Sequence, residues 1–109
     1  MPQDRTEEPF RDALPRLLAE QGISLRELSR RLGMDATYLS RVRRGHKRLP
    51  TGLPSQVAAS LGLPEDYFSE TREALVIVAI RDDPALRERI YERYVRRRHP
   101  TSERKQRRA

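Results

Sequence analysis

SLRELSRRLGMDATYLSRVRRG, residues Ser24 to Gly45, is the stretch on which the fold turns. Ser24 carries an N-cap side chain and Glu27, three positions on, completes a capping box, so a helix starts at Leu25. Leu25, Leu28 and Leu32 share one face of it, and Gly33 stops it. Asp35 caps a second helix, whose Tyr38, Leu39 and Val42 turn inward and which Gly45 ends. Two capped helices of about nine residues joined by a turn of about three make a helix-turn-helix. Small Ser29 lets the helices approach closely, and Gly33 supplies a backbone conformation costly to other residues. Leu28, Leu32, Leu39 and Val42 pin the crossing. The pinned pair presents one side of the second helix outward, and an α-helix fits the major groove of B-DNA.

Working outward, Phe10, Ala13, Leu14, Leu17 and Leu18 lie on one helical face that Gly22 ends. Pro15 is awkward in a helix interior, so the expected helix runs from 13 to 21 with Asp12 as its cap and Phe10 packing before it. Downstream, GHKRLP (Gly45–Pro50) is a basic loop. Thr51 to Leu61 forms another helix, with Pro54 in its first turn and Val57, Ala58 and Leu61 inward. Gly62-Leu63-Pro64 turns the chain, and Tyr67 and Phe68 plug the bundle. Thr71–Ile80 contains LVIVAI, which periodicity alone does not assign; its flanks, ETREA and RDD, favour a helix buried on most sides over a strand. Asp83-Pro84 starts a last helix as cap and first-position proline. Its stripe of Leu86, Ile90 and Tyr94, flanked by Tyr91 and Val95, runs to Arg98. Pro100 ends it, and 100–109 is expected to be a basic disordered tail. The expected organisation is a flexible N-terminus over 1–9, a helix-turn-helix domain over 10–70 and a helical dimerisation segment over 71–99.

Charge follows this plan. The 109 residues carry a formal net +7, unevenly placed. Residues 24–50 hold net +6 and residues 95–109 net +6, while 1–23 and 51–94 are net acidic. Two basic blocks on an acidic body suit a polyanion site and a tail. Of 23 basic residues 21 are Arg, a preference that a GC-rich genome explains without explaining the clustering. Cysteine is absent, which excludes disulfide frameworks, thiolate metal sites and Cys nucleophiles. The longest apolar run, Ala74–Ile80, is too short to span a membrane, and no secretion signal opens the chain, so the expected location is the cytoplasm. No HExxH, phosphate loop or nucleophile–base spacing supports an enzyme. His46 and His99 have no ligand-spaced partners, and Asp82-Asp83 reads as a helix boundary. No cofactor or metal is required.

Over Phe10–Phe68, and most densely over Ser24–Gly45, the chain resembles the Cro/repressor-like (XRE) helix-turn-helix family, whose fold is lambda-repressor-like. The resemblance extends through the basic loop, Val57-Ala58-Ala59-Ser60-Leu61-Gly62 and Pro64-Glu65-Asp66-Tyr67-Phe68. It implies an all-α, lambda-repressor-like helix-turn-helix bundle, here with a C-terminal helical extension. It also implies binding of double-stranded DNA. The family's base-reading positions fall on Ala36, Thr37 and Arg41, with Tyr38 and Ser40 as lesser candidates and Tyr38 alternatively core. Ala36 offers an apolar contact, Thr37 a hydrogen bond, and Arg41 a bidentate bond to guanine. Arg43, Arg44, His46, Lys47 and Arg48 fall where the family meets the DNA backbone, contacts that position rather than specify. One position departs: Leu25 stands where the family often has a phosphate-touching Gln. Arg26, Arg30 and Arg31 lie outward, as a solvated face, in intrahelical pairs or on phosphate.

Leu75, Val76, Ile77, Val78 and Ile80, with Leu86, Ile90 and Tyr94, exceed what one side of a small bundle hides. The expectation is a homodimer through these residues, both recognition helices facing successive major grooves of a palindromic operator. The alternative is that the segment folds back on its own bundle. The functional expectation is a sequence-specific transcriptional regulator, a repressor by occupancy. Two others stand beside it: a protein-binding module (antitoxin or adaptor) using residues 71–98, with DNA contact secondary, and a nonspecific architectural binder driven by the tail. The hairpin also occurs as plain packing in proteins that never touch DNA.

Overall fold

The computed structural model describes residues 5–98, and the elements among them are all helical: α1 (Phe10–Gln21), α2 (Leu25–Leu32), α3 (Ala36–Arg44), α4 (Leu53–Ser60), α5 (Ser69–Asp82) and α6 (Pro84–Arg98). His99 and the basic tail over 100–109 lie outside the described residues. The chain divides into two compact units, one ending at Leu75 and the other starting at Val76.

The caps of the central pair form as the sequence dictates. Ser24 Oγ accepts the Glu27 N–H at 3.0 Å, and Asp35 Oδ1 accepts the Thr37 N–H at 2.9 Å. Gly33 and Gly45 close their helices at φ +67° and +85°, the left-handed region where a Cβ is penalised. The capping box is only half made. Glu27's carboxylate turns instead to Arg30 and Arg31, 3.1 Å from the latter, because charge-assisted bonds one turn on outcompete a neutral amide. Those guanidiniums, Arg30 first, hold Glu27 below the usual carboxylate range. Ser24→Ala and Asp35→Ala are each expected to cost about 1 kcal/mol of folding stability. Thermal unfolding followed by circular dichroism checks this, and an unchanged midpoint in either variant would show that cap to be idle.

The first helix differs from the expectation. It begins at Phe10, not 13, with Pro9 as its cap residue and Pro15 inside it. The opening amide is satisfied from far away: Phe10 N–H donates to Glu70 Oε2 at 2.8 Å. Pro15 lies on the exposed face, where a missing amide hydrogen bond costs less than it would in the core. Of the stretch 1–9 expected to be flexible, the described part, a strap over residues 5–9, is hydrogen-bonded to the bundle. Thr6 is buried and its N–H donates to the Tyr67 carbonyl at 2.9 Å. Arg72 donates to the carbonyls of Thr6, Tyr67 and Asp66. The fourth helix is shorter than Thr51–Leu61, because Leu53 N–H closes a turn onto the Pro50 carbonyl at 3.1 Å.

In the first unit α2 packs on α3 and α4, and α1 packs on α3. Phe10, Leu14, Leu28, Leu39, Val42, Val57 and Phe68 are fully buried between them, each worth about 1.5–3 kcal/mol of transfer. Phe68 meets Phe10 edge-on at 4.9 Å and Tyr67 at 5.2 Å, so the aromatic plug is present.

LVIVAI is helical, within α5. Asp83 caps α6, accepting the Leu86 N–H at 3.1 Å, with Pro84 first in the helix. The expected burial on most sides is not met within one chain. Leu75, Val76, Ile77 and Val78 are 61%, 55%, 40% and 50% exposed. Ile90, Tyr91 and Tyr94 on α6 are exposed too, while Ile80 and Leu86 are half-buried. Among the described residues no helix is long and apolar enough to cross a membrane.

Candidate nucleic-acid interface

The placement of α3 follows from its inward residues. Leu39 and Val42 have no exposed surface, which fixes the rotation of the helix about its axis. Ser29 is buried and its Oγ donates to the Leu25 carbonyl at 2.9 Å. The hydroxyl is thereby satisfied on its own helix, and the buried face of α2 stays low enough for α3 and α4 to pack on it.

The remaining side of α3 faces outward. Thr37 and Arg41 are exposed, while Ala36, Ser40 and Arg43 are half-buried. Tyr38, also half-buried, packs against the core, so its ring supports the bundle. Arg44 ends the helix exposed, and His46, Lys47 and Arg48 follow exposed in the loop. That loop is folded back onto α3: the amides of His46 and Lys47 both donate to the Arg41 carbonyl, at 2.8 and 3.3 Å. Ala36, Thr37, Ser40, Arg41, Arg43, Arg44, His46, Lys47 and Arg48 therefore lie on one helix and the turn that closes it.

Ion pairing divides the arginines. Arg30 and Arg31 pair with Glu27, Arg16 with Glu8 and Glu20, and Arg72 with Glu7. Among the described residues, Arg26, Arg41, Arg43, Arg44, Lys47 and Arg48 enter no ion pair. On the second half of α2 one carboxylate offsets part of the charge of two guanidiniums, whereas along α3 and its loop the cations meet no carboxylate among the described residues. Such a run meets a polyanion without first breaking internal pairs.

Sequence reasoning missed Arg11. Its Nε donates to the Val42 carbonyl at 2.8 Å and an Nη to the Lys47 carbonyl at 3.2 Å. Its partners lie 31 and 36 positions away, and helical periodicity carries no signal over that distance.

Residues 16–68 match the family described as Helix-turn-helix. This segment is a helix-turn-helix domain of the Cro/repressor-like (XRE) family. The match runs from inside α1 to Phe68, the residue before α5, and so covers the helix-turn-helix pair, the basic loop and the aromatic plug. The helix-turn-helix domain is an all-α bundle of the lambda-repressor-like kind. Its family is one of DNA-binding transcription regulators, and the match supports that general role for this segment. Comparison with curated proteins and with solved structures gives no match.

Proposed function

We propose that the chain is a sequence-specific transcriptional repressor that occupies a palindromic operator as a homodimer. The observation that carries this reading is the exposed side of α3, on which Thr37 and Arg41 stand beside a basic loop, its cations in no ion pair among the described residues. Arg41 reads guanine, Thr37 a base edge and Ala36 a thymine methyl, with Ser40 as a supporting contact. Arg43, Arg44, His46, Lys47 and Arg48 grip phosphates and set the register. If about six phosphates per subunit are neutralised, the log–log salt dependence of binding has a slope near −5 per subunit. Selection of bound sites from random duplexes tests the reading. The expected product is a two-fold symmetric site with half-sites about one helical turn, roughly 34 Å, apart. Enrichment of no sequence at low salt would overturn it.

The dimer rests on the extension. In the second unit Val76, Ile77, Val78, Ile90, Tyr91 and Tyr94 are each 40–60% exposed, more large apolar side chains than a small helical unit ordinarily leaves to water. Exposed apolar side chains in such number suit an interaction site, and a second copy supplies the same ones. Ile80 and Leu86 extend the set. Sedimentation of the 12.8 kDa chain at tens of micromolar is expected to give twice that mass. Val76→Glu with Val78→Glu is expected to return it to the monomer and to weaken operator binding. A monomeric wild-type chain would remove the dimer and leave this surface to a different protein.

A further inference from the structure

We infer that Arg11, on a helix outside the recognition pair, is a positioning residue for the basic loop. The inference deepens the DNA-binding reading above and rests on it. Between the end of α3 and Leu49, which packs against the core, the loop holds itself only by backbone bonds to the last turn of α3: His46, Lys47 and Arg48 are exposed, and no core side chain lies between Gly45 and Arg48. Arg11 supplies the missing brace. Nε donates to the Val42 carbonyl at 2.8 Å, in the last turn of α3, and an Nη to the Lys47 carbonyl at 3.2 Å, in the loop. One rigid planar fork thus spans the helix end and the loop at once, which a flexible ammonium does not do. A Cβ built at Gly45 would stand 4.0 Å from Arg11 Nε, so the guanidinium lies against the left-handed turn itself.

Charge favours the same placement. Arg11 forms no ion pair among the described residues, and a cation beside the carbonyl end of α3 complements the helix dipole. Arg11 thereby sets where Lys47 and Arg48 stand relative to α3, while Arg41, on the helix proper, is fixed by Leu39 and Val42. It acts on phosphate contact and not on base choice.

The test compares wild type with Arg11→Gln and Arg11→Lys in two measurements. The first is amide hydrogen exchange in the protein without DNA. In both variants the His46 and Lys47 amides, bonded to the Arg41 carbonyl, are expected to exchange at least about tenfold faster, with core amides such as that of Leu39 much less affected. The second is binding to the selected operator and to scrambled duplex. Both variants are expected to lose several-fold, equally on the two DNAs, with unchanged base preference. Unchanged loop exchange in Arg11→Gln overturns the inference, as does full recovery of binding by Arg11→Lys while the loop still exchanges fast, since charge alone would then be at work. Wild-type protein that binds no duplex overturns the DNA reading instead, whatever the loop amides do.

Discussion

Truncating Phe68 to alanine is expected to cost about 3–5 kcal/mol of folding stability, the upper range for a buried aromatic. Phe68 has no exposed surface and sits edge-on between Phe10 and Tyr67. The substitution loses its transfer free energy and two aromatic contacts of about 0.5–1.5 kcal/mol each, and leaves a cavity between α1 and the start of α5. Its carbonyl also accepts the Thr71 N–H at 3.1 Å, so disorder there propagates into the turn from which Glu70 caps α1 and Arg72 holds the strap. Small domains have only about 5–15 kcal/mol in total, so the variant should melt far below the wild type or fail to fold at ambient temperature. Denaturant titration measures the loss, with Phe68→Leu as a milder control. A loss below about 1 kcal/mol would show that the plug is not part of the cooperative core.

Arg41→Ala is the counterpart for function. This side chain is exposed and enters no ion pair among the described residues, and alanine is at least as good a helix former. Folding stability should stay within about 0.5 kcal/mol of wild type. Operator binding should weaken by roughly 10- to 100-fold, the loss concentrated at one base pair per half-site, because a bidentate arginine–guanine contact contributes about 1–3 kcal/mol of discrimination. Lys47→Ala and Arg48→Ala set the contrast: similar losses on every sequence and a salt slope reduced by about 1 each. Repeating site selection with the variant decides the matter. A uniform loss across all sequences would reassign Arg41 to the phosphate backbone.

The two helices of the motif were legible because their determinants are local. Ser24 and Asp35 reach amides two or three residues away, and Gly33 and Gly45 supply their own backbone angles. Asp83-Pro84 and the helical state of LVIVAI were legible for the same reason, from an adjacent cap and from flanking composition. Glu27 was readable only in part, since its cap partner and its arginines are all within one turn and compete for one carboxylate. The start of α1 was not readable at all. Asp12 is a good local cap, but Glu70 reaches Phe10 from 60 positions away, and no window of sequence contains both.

By itself, then, the order of residues determined that a capped helix, a tight turn and a second capped helix stand in the middle of this chain, with arginines on the side that leucines leave outward. Hydrogen bonds spanning two to five residues favour that arrangement, and burial of the leucines makes such short helices stable. Only the tertiary structure decided how far α1 and its strap extend, that Arg72 reaches back to that strap, and that Arg11 bonds both α3 and the loop. Those outcomes need chain segments 31 to 66 residues apart to meet, and only the burial of Phe10, Leu39, Val42 and Phe68 in one core brings them together.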